Sequence, residues 1–355
     1  MDAPTDPAGR LSTNDDREVG AVAISDRIDR FQRRYPASGF PLAVIYKFFD
    51  DQGGYLAALI AYYGFVSLFP LLLIFTTVLD IVLRDNPELR ARIVDSALSQ
   101  IPVIGSQLGE SGHLGGGVAG VTIGVIGAVY GGLGVAVAIQ NAMNIVWAVP
   151  RNDRPNPIRV RIRGAMLLST VGTAIVALTV VNGAAAAADL GKASRILAII
   201  GSVIVTAVVF TAAFMIGTAR PVTVWNVLPG ACAAAVGWQV LQTFGGVYVL
   251  RVIRHASALN GVFAVVLGLL AFLYIAAFMV VMCLEFNAVR VDKLYPRSLL
   301  TPFTDNVILT CGDEAAYAAQ ARAQRLKGFQ EIDVSFDNPA DTDRIELDRT
   351  EDQKG

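Results

Sequence analysis

The sequence predicts an all-α protein: a polytopic membrane helical bundle of about six transmembrane helices, preceded by an interfacial helix. Three observations carry this reading. Apolar residues make up 54% of the 355 and charged residues only 17%, and the mean hydropathy is +0.52. The apolar residues also gather into six runs, each longer than the roughly 20 residues that cross a hydrocarbon core as a helix. The net charge of −1 hides an asymmetry, because the runs are nearly uncharged while the loops and tails hold most of the ionisable groups. Charge here marks topology, and no nucleic-acid partner is expected.

Taken in order, residues 1–40 read as a polar cytoplasmic tail without the short apolar core of a secretory signal. PLAVIYKFFDD (41–51) has apolar residues at helical spacing around Lys47. It fits either a helix lying on the inner leaflet or a leader turn into the first span. A six-helix membrane domain is expected over 41–297, its spans near 55–83, 114–147, 164–188, 196–218, 227–250 and 259–287. The loop 84–113 is expected to hold an amphipathic helix from about Pro87 to Gln100. Residues 298–330 form a cytoplasmic segment with a short helix around DEAAYAAQARAQRLKGF. The stretch 331–355 carries nine acids against three bases, the composition of an acidic disordered tail.

Orientation follows from Lys and Arg near the span ends. With the N-terminus inside, the inner flanks hold fourteen: Arg27, Arg30, Arg33, Arg34, Lys47, Arg151, Arg154, Arg159, Arg161, Arg163, Arg220, Arg290, Lys293 and Arg297. The outer flanks hold seven: Arg84, Arg90, Arg92, Lys192, Arg195, Arg251 and Arg254. This bias favours both termini in the cytoplasm.

Gly115, Gly117 and Gly120 match GxGxxG, but the match opens a membrane helix instead of following a strand, so no dinucleotide is implied. Gly116, Gly120, Gly124, Ala128, Gly132 and Ala136 recur every four residues along the second run. Such a stripe lets a second helix backbone approach closely; a pore-lining face is the other reading. Gln140, Asn144 and Trp147 share a face of the same helix, with Gln239, Gln242 and Asn182 on other spans. These amides either join helices or line a water-accessible vestibule. Glu285, followed by Asn287, lies about one turn inside the end of the last run. It either pairs with an inner-face arginine such as Arg290 or forms a gate. In YLAALIAYYGFVSLFPLLLIF (55–75), Tyr62, Phe65 and Phe69 share a face and Pro70 removes a backbone donor, as in kinked cavity-lining helices and also in inert bundles. His113 and His255 are the only histidines, and no HExxH, GxSxG or phosphate loop is present. Catalytic residues, metal ligands and cofactors are therefore not expected.

AALIAYYGFVSLFPLLL, QNAMNIVWAVPR, VLPGACAAAVGWQVLQ and LNGVFAVVLGLLAFLYIAAFMVVMCLEFNA together resemble the YihY/virulence factor BrkB family of bacterial inner-membrane proteins, over about residues 42–297. The resemblance implies a six-helix protein of the plasma membrane, connected with envelope maintenance or lipid-related export, and no established catalytic residues. A ribonuclease label once attached to the family finds no support in these residues. Membrane lipids, envelope proteins and a second copy of the chain are the partners to expect; a transporter and a non-transporting scaffold are the two roles. Where the family pattern favours Gly-Ala before the closing acid, this chain has Cys283 and Leu284, which argues against a tight helix contact there.

Overall fold

In a computed structural model the described residues are 31–32, 34–82, 88, 118–187, 192–253, 258–303 and 307–336. They form eight helices and, among the described residues, no strand. The helices are α1 (Phe40–Asp50), α2 (Gly53–Val82), α3 (Val118–Val146), α4 (Pro157–Ala187), α5 (Lys192–Gly217), α6 (Val224–Ile253), α7 (Ala258–Asp292) and α8 (Cys311–Ala323). Six of them, α2 to α7, run 26 to 35 residues. At 1.5 Å per residue each exceeds the roughly 30 Å of a hydrocarbon core. Segments Ile196–Gly217, Val224–Gly245 and Val266–Asp292 are long and apolar enough to span, and Gly53–Leu68 is a shorter apolar helix.

The helices match the six predicted runs with one main difference. α4 begins at Pro157, taking in IRVRIR, which the hydropathy pattern places outside the span. Its start is fixed locally: Asn156 Oδ1 accepts from the Arg159 backbone N–H at 2.9 Å, and Pro157 occupies the first position, where a missing donor matters least. The helix predicted from Pro87 to Gln100 (apart from Glu88), the histidines and the tail beyond residue 336 lie outside the described residues.

The described residues divide into two compact units, Phe48–Asn287 and the chain up to Lys47 together with Ala288 onward. In the larger unit, α2 and α3 pack most intimately, followed by α4 with α5 and α5 with α6. Small residues permit this. A Cβ on Gly131 would lie 2.7 Å from Ser67 Cα, and one on Gly134 would lie 2.6 Å from Tyr63 Cδ1, so α2 and α3 meet backbone to side chain. The predicted stripe is seen in part. Gly132 is buried, and Ala136 faces α4, where a Cβ on Gly164 would lie 3.1 Å from Ala136 Cβ. Gly120, Gly124 and Ala128 belong to α3; their side chains, and Gly116 altogether, lie outside the described residues.

The outward faces are apolar. Ile196, Leu197, Ile199, Ile200, Ile204 and Val208 on α5 are exposed, as are Tyr55, Leu59, Tyr62 and Val66 along one flank of α2. In water such surfaces would drive aggregation; in lipid they are the solvated faces of a bundle whose backbone groups are satisfied within helices.

In the smaller unit the first turns of α1 contact the segment after α7. Phe40 meets Tyr295 edge-on at 5.3 Å, and the Tyr46 hydroxyl donates to Leu299 O at 2.6 Å. The opposite flank of α1 leaves Pro41, Ile45 and Phe49 exposed, an apolar stripe at the i, i+4, i+8 spacing of an interfacial helix. Asp313, fully buried at the third position of α8, organises the rest. Its carboxylate accepts from Arg297 Nε at 2.5 Å, Ser298 N at 2.9 Å and Thr310 N at 3.0 Å. Thr310 and Asp313 complete a reciprocal capping box, and the carboxylate lies where the helix dipole favours an anion. A Cβ on Gly312 would collide with Pro296 O, so only glycine lets α8 sit this close. α8 ends at Ala323, a turn or more short of the predicted helix, and Lys327 O instead accepts from Gln330 N in a tight turn.

The close approach of α2 and α3 yields a paired expectation. Gly131→Ala forces the helices apart and lowers stability by about 1–3 kcal/mol. Gly172→Ala on α4, where nothing lies within 4 Å of the added carbon, gains up to about 1 kcal/mol of helix propensity. Unfolding midpoints in one detergent should shift in opposite directions.

Candidate functional site

The polar residues singled out in the spans gather where helices end or break. Alternating helix directions bring the end of α3, the start of α4 and the end of α5 together, and each junction is held by a side-chain amide. Gln140 Nε2 donates to Ala136 O at 3.1 Å and across to Val160 O of α4 at 3.0 Å. It reaches Val160 because Gly164, with no Cβ, lets α4 come within contact of Ala136. Asn144 Oδ1 accepts from Ala219 N at 2.8 Å. That N–H lies just past the end of α5, where the chain has left the helical hydrogen-bond ladder.

Asn287 performs a similar task between α7 and α6. Pro229 lies inside α6, where a ring and a missing N–H disturb the hydrogen-bond ladder. Around that point, Asn287 Oδ1 accepts from Gly230 N at 2.9 Å and Asn287 Nδ2 donates to Val227 O at 3.0 Å. The helices approach so closely that a Cβ on Gly230 would collide with Cys283 O. The tight contact that Cys283 and Leu284 argue against is therefore present, with the small residue supplied by the facing helix.

Glu285 is 0% exposed. It lies on the inward flank of α7 with Val281 and Leu284, both also buried. Burying an ionised carboxylate is costly unless other groups compensate, and at membrane depth such residues default to functional hypotheses. Among the described residues, no group of three or more His, Cys, Asp or Glu side chains is placed to hold a metal ion.

Other residues are placed differently. Tyr62 is 58% exposed on the outer flank of α2; its neighbour Tyr63 turns inward onto Gly134. Pro70 lies within the continuous helix α2, its side chain outside the described residues. Gln239 is half-buried on α6, away from the amide junctions described above.

Sequence spacing missed the arginines that complete the α3–α4 end. Arg154 donates from Nε to Val149 O at 3.2 Å and from Nη1 to Asn141 Oδ1 at 3.2 Å. Burial, and secondarily the charge of Arg151, holds its guanidinium below the ordinary value. Arg220 lies 5.3 Å from the centre of the Trp147 ring, in cation–π geometry. The link between Arg297 and Asp313 was also missed, although TCGD (310–313) is a readable capping-box signal.

Six long helices with apolar outer faces and interhelical amide hydrogen bonds define an integral membrane protein. The chain belongs to the Virulence factor BrkB family, whose sequence profile matches residues 44–302. No curated protein and no solved structure matches the chain.

The amide junctions generate a direct expectation. Asn287→Ala leaves a buried N–H and a buried carbonyl around Pro229 without their side-chain partners and lowers stability by about 1–3 kcal/mol. Gln239→Ala stays within about 0.5 kcal/mol of the parent. Chemical unfolding of both variants in the same detergent measures the difference.

Proposed function

We propose that the protein is a non-enzymatic transporter, or transport partner, of a lipidic or amphipathic molecule in envelope maintenance. In this reading it crosses the bacterial inner membrane six times with both termini in the cytoplasm. The observation that carries the proposal is Glu285: a carboxylate with no exposure, held on the inward flank of the last long helix. Its role is to coordinate a passing headgroup or a coupling proton at the cytoplasmic mouth, with Pro70, Gln140, Asn144, Gln239 and Asn287 as the other polar or kinking positions of the path; Tyr62, on the outer flank of α2, is not part of it.

A second reading, a membrane scaffold recruiting envelope proteins or a second copy of the chain, is favoured by one specific observation. Gln140, Asn144 and Asn287 all spend hydrogen bonds on the backbone of neighbouring helices, as a rigid anchor requires.

Two experiments test these readings. Reporter fusions at Asn156 and Gly328 should be cytoplasmic and one at Ser106 external; an external Gly328 would leave an odd number of crossings and overturn the topology. Glu285→Gln separates the two functions. The transport reading expects loss of complementation of a deletion strain's envelope phenotype at normal membrane abundance and unfolding midpoint. Full complementation at normal abundance refutes the gate.

A further inference from the structure

The arginines at the α3–α4 end stand where elementary electrostatics disfavours them. Arg151, Arg154, Arg159, Arg161 and Arg163 crowd into residues 151–163, and Asp153 is the only acid among them. They surround the N-terminus of α4, a 31-residue helix whose positive end favours anions, not cations. Asp153 is already hydrogen-bonded by Asn152 Nδ2 at 2.6 Å. Arg220 joins the same end, because Asn144 holds Ala219 against α3 and Arg220 covers Trp147.

Of these, Arg154 is committed to protein acceptors at Val149 and Asn141. Arg151, Arg159 and Arg161 are exposed. Arg163 is half-buried, and its Nη1 is enclosed without a hydrogen-bond acceptor among the described residues. Trp147, 1% exposed, holds its indole N–H in the same condition beneath Arg220. Arg159 and Arg163 are one helical turn apart, so their guanidinium groups share a flank of α4.

The exposed guanidinium forks of Arg151, Arg159 and Arg161, with the half-buried one of Arg163, gathered at a helix N-terminus, together suit an anion with several acceptor oxygens. Trp147 and the exit of α3 from its apolar run set it at headgroup level. We infer that this end of the bundle is a binding site for the phosphodiester headgroup of an anionic phospholipid, gripped by Arg159 and Arg163. Arg151 and Arg161 add to the attracting field. Guanidinium groups engage phosphate oxygens two at a time, and basic pockets between membrane helices take anionic headgroups in this way. The site is distinct from Glu285 and stands whether or not any lipid is transported.

The rival explanation is that these arginines only set topology. Topology depends on charge, which lysine supplies equally; bidentate phosphate binding depends on the guanidinium fork, which lysine lacks. The test uses the full-length protein in neutral detergent, titrated with short-chain phosphatidylglycerol, with short-chain phosphatidylcholine and inorganic phosphate as parallel arms. Binding is followed by tryptophan fluorescence and by the unfolding midpoint. Phosphatidylglycerol should bind about tenfold or more tighter than phosphatidylcholine, a difference of about 1.4 kcal/mol, and inorganic phosphate should not saturate. The double variant Arg159→Lys/Arg163→Lys should keep its lipid-free midpoint and reporter topology while losing about threefold or more in phosphatidylglycerol affinity. Arg159→Gln/Arg163→Gln should lose the preference altogether; if that pair does not fold, the lysine pair decides. Equal affinity for the two lipids, saturable binding of inorganic phosphate with the affinity of the lipid, or undiminished binding by the lysine pair overturns the site.

Discussion

Every backbone N–H and C=O inside a membrane bundle needs a partner from the protein, because lipid offers none. Regular helices meet that demand along their length but fail at their ends and at prolines. In this chain two such places, around Pro229 and past the end of α5, are served by side-chain amides, a third amide ties α3 to α4, and the arrangement of the larger unit depends on all three. Asn287 bridges Val227 and Gly230 around Pro229, Asn144 takes the N–H of Ala219 past the end of α5, and Gln140 reaches Val160 of α4. An amide suits the task because it carries a donor and an acceptor without the desolvation penalty of a charge.

Close approach is the companion requirement. A side-chain amide spans only a few ångströms, so each repair needs helices in near contact, and a residue without a Cβ permits it. Gly164 admits Gln140 to α4, and Gly230 admits Asn287 to α6. In the smaller unit Gly312 plays the same part, letting α8 settle against Pro296 while Asp313 gathers Arg297, Ser298 and Thr310. There the hub is a carboxylate. A buried ion pair holds well only when its remaining oxygens are also satisfied, and the backbone N–H groups of Ser298 and Thr310 do that here.

These commitments bear on function. Gln140 through its Nε2, Asn144 through its Oδ1 and Asn287 through both amide atoms are engaged with backbone, so they shape and stiffen one end of the bundle. Glu285, as fully buried as Asn287, differs from them in being ionisable. The arginines of residues 151–163 differ again, in lying mostly exposed around a helix end that repels them. The larger unit thus carries a stiff junction, a buried acid and a basic rim, three features with different chemistry on one set of helices.

The sequence by itself determined the helical membrane class, the six long helices and the family. Each depends on local quantities, run length, hydropathy and the order of distinctive segments, that need no knowledge of neighbours. The caps at Asn156–Pro157 and at TCGD are each completed within four residues and so lay within reach of the sequence, but run length and hydropathy make use of neither. The tertiary structure alone decided which face each residue presents. Tyr62 and Tyr63 are adjacent and equally aromatic, yet one faces outward and the other packs on Gly134. The periodic stripe suggested Gly132 and Ala136 for one partner helix, whereas Gly131 and Gly134 take α2 and Ala136 takes α4. A helix in lipid has no polar face to betray its orientation, since apolar side chains suit both lipid and protein, and the distinction is made only when small residues and amides find complementary helices.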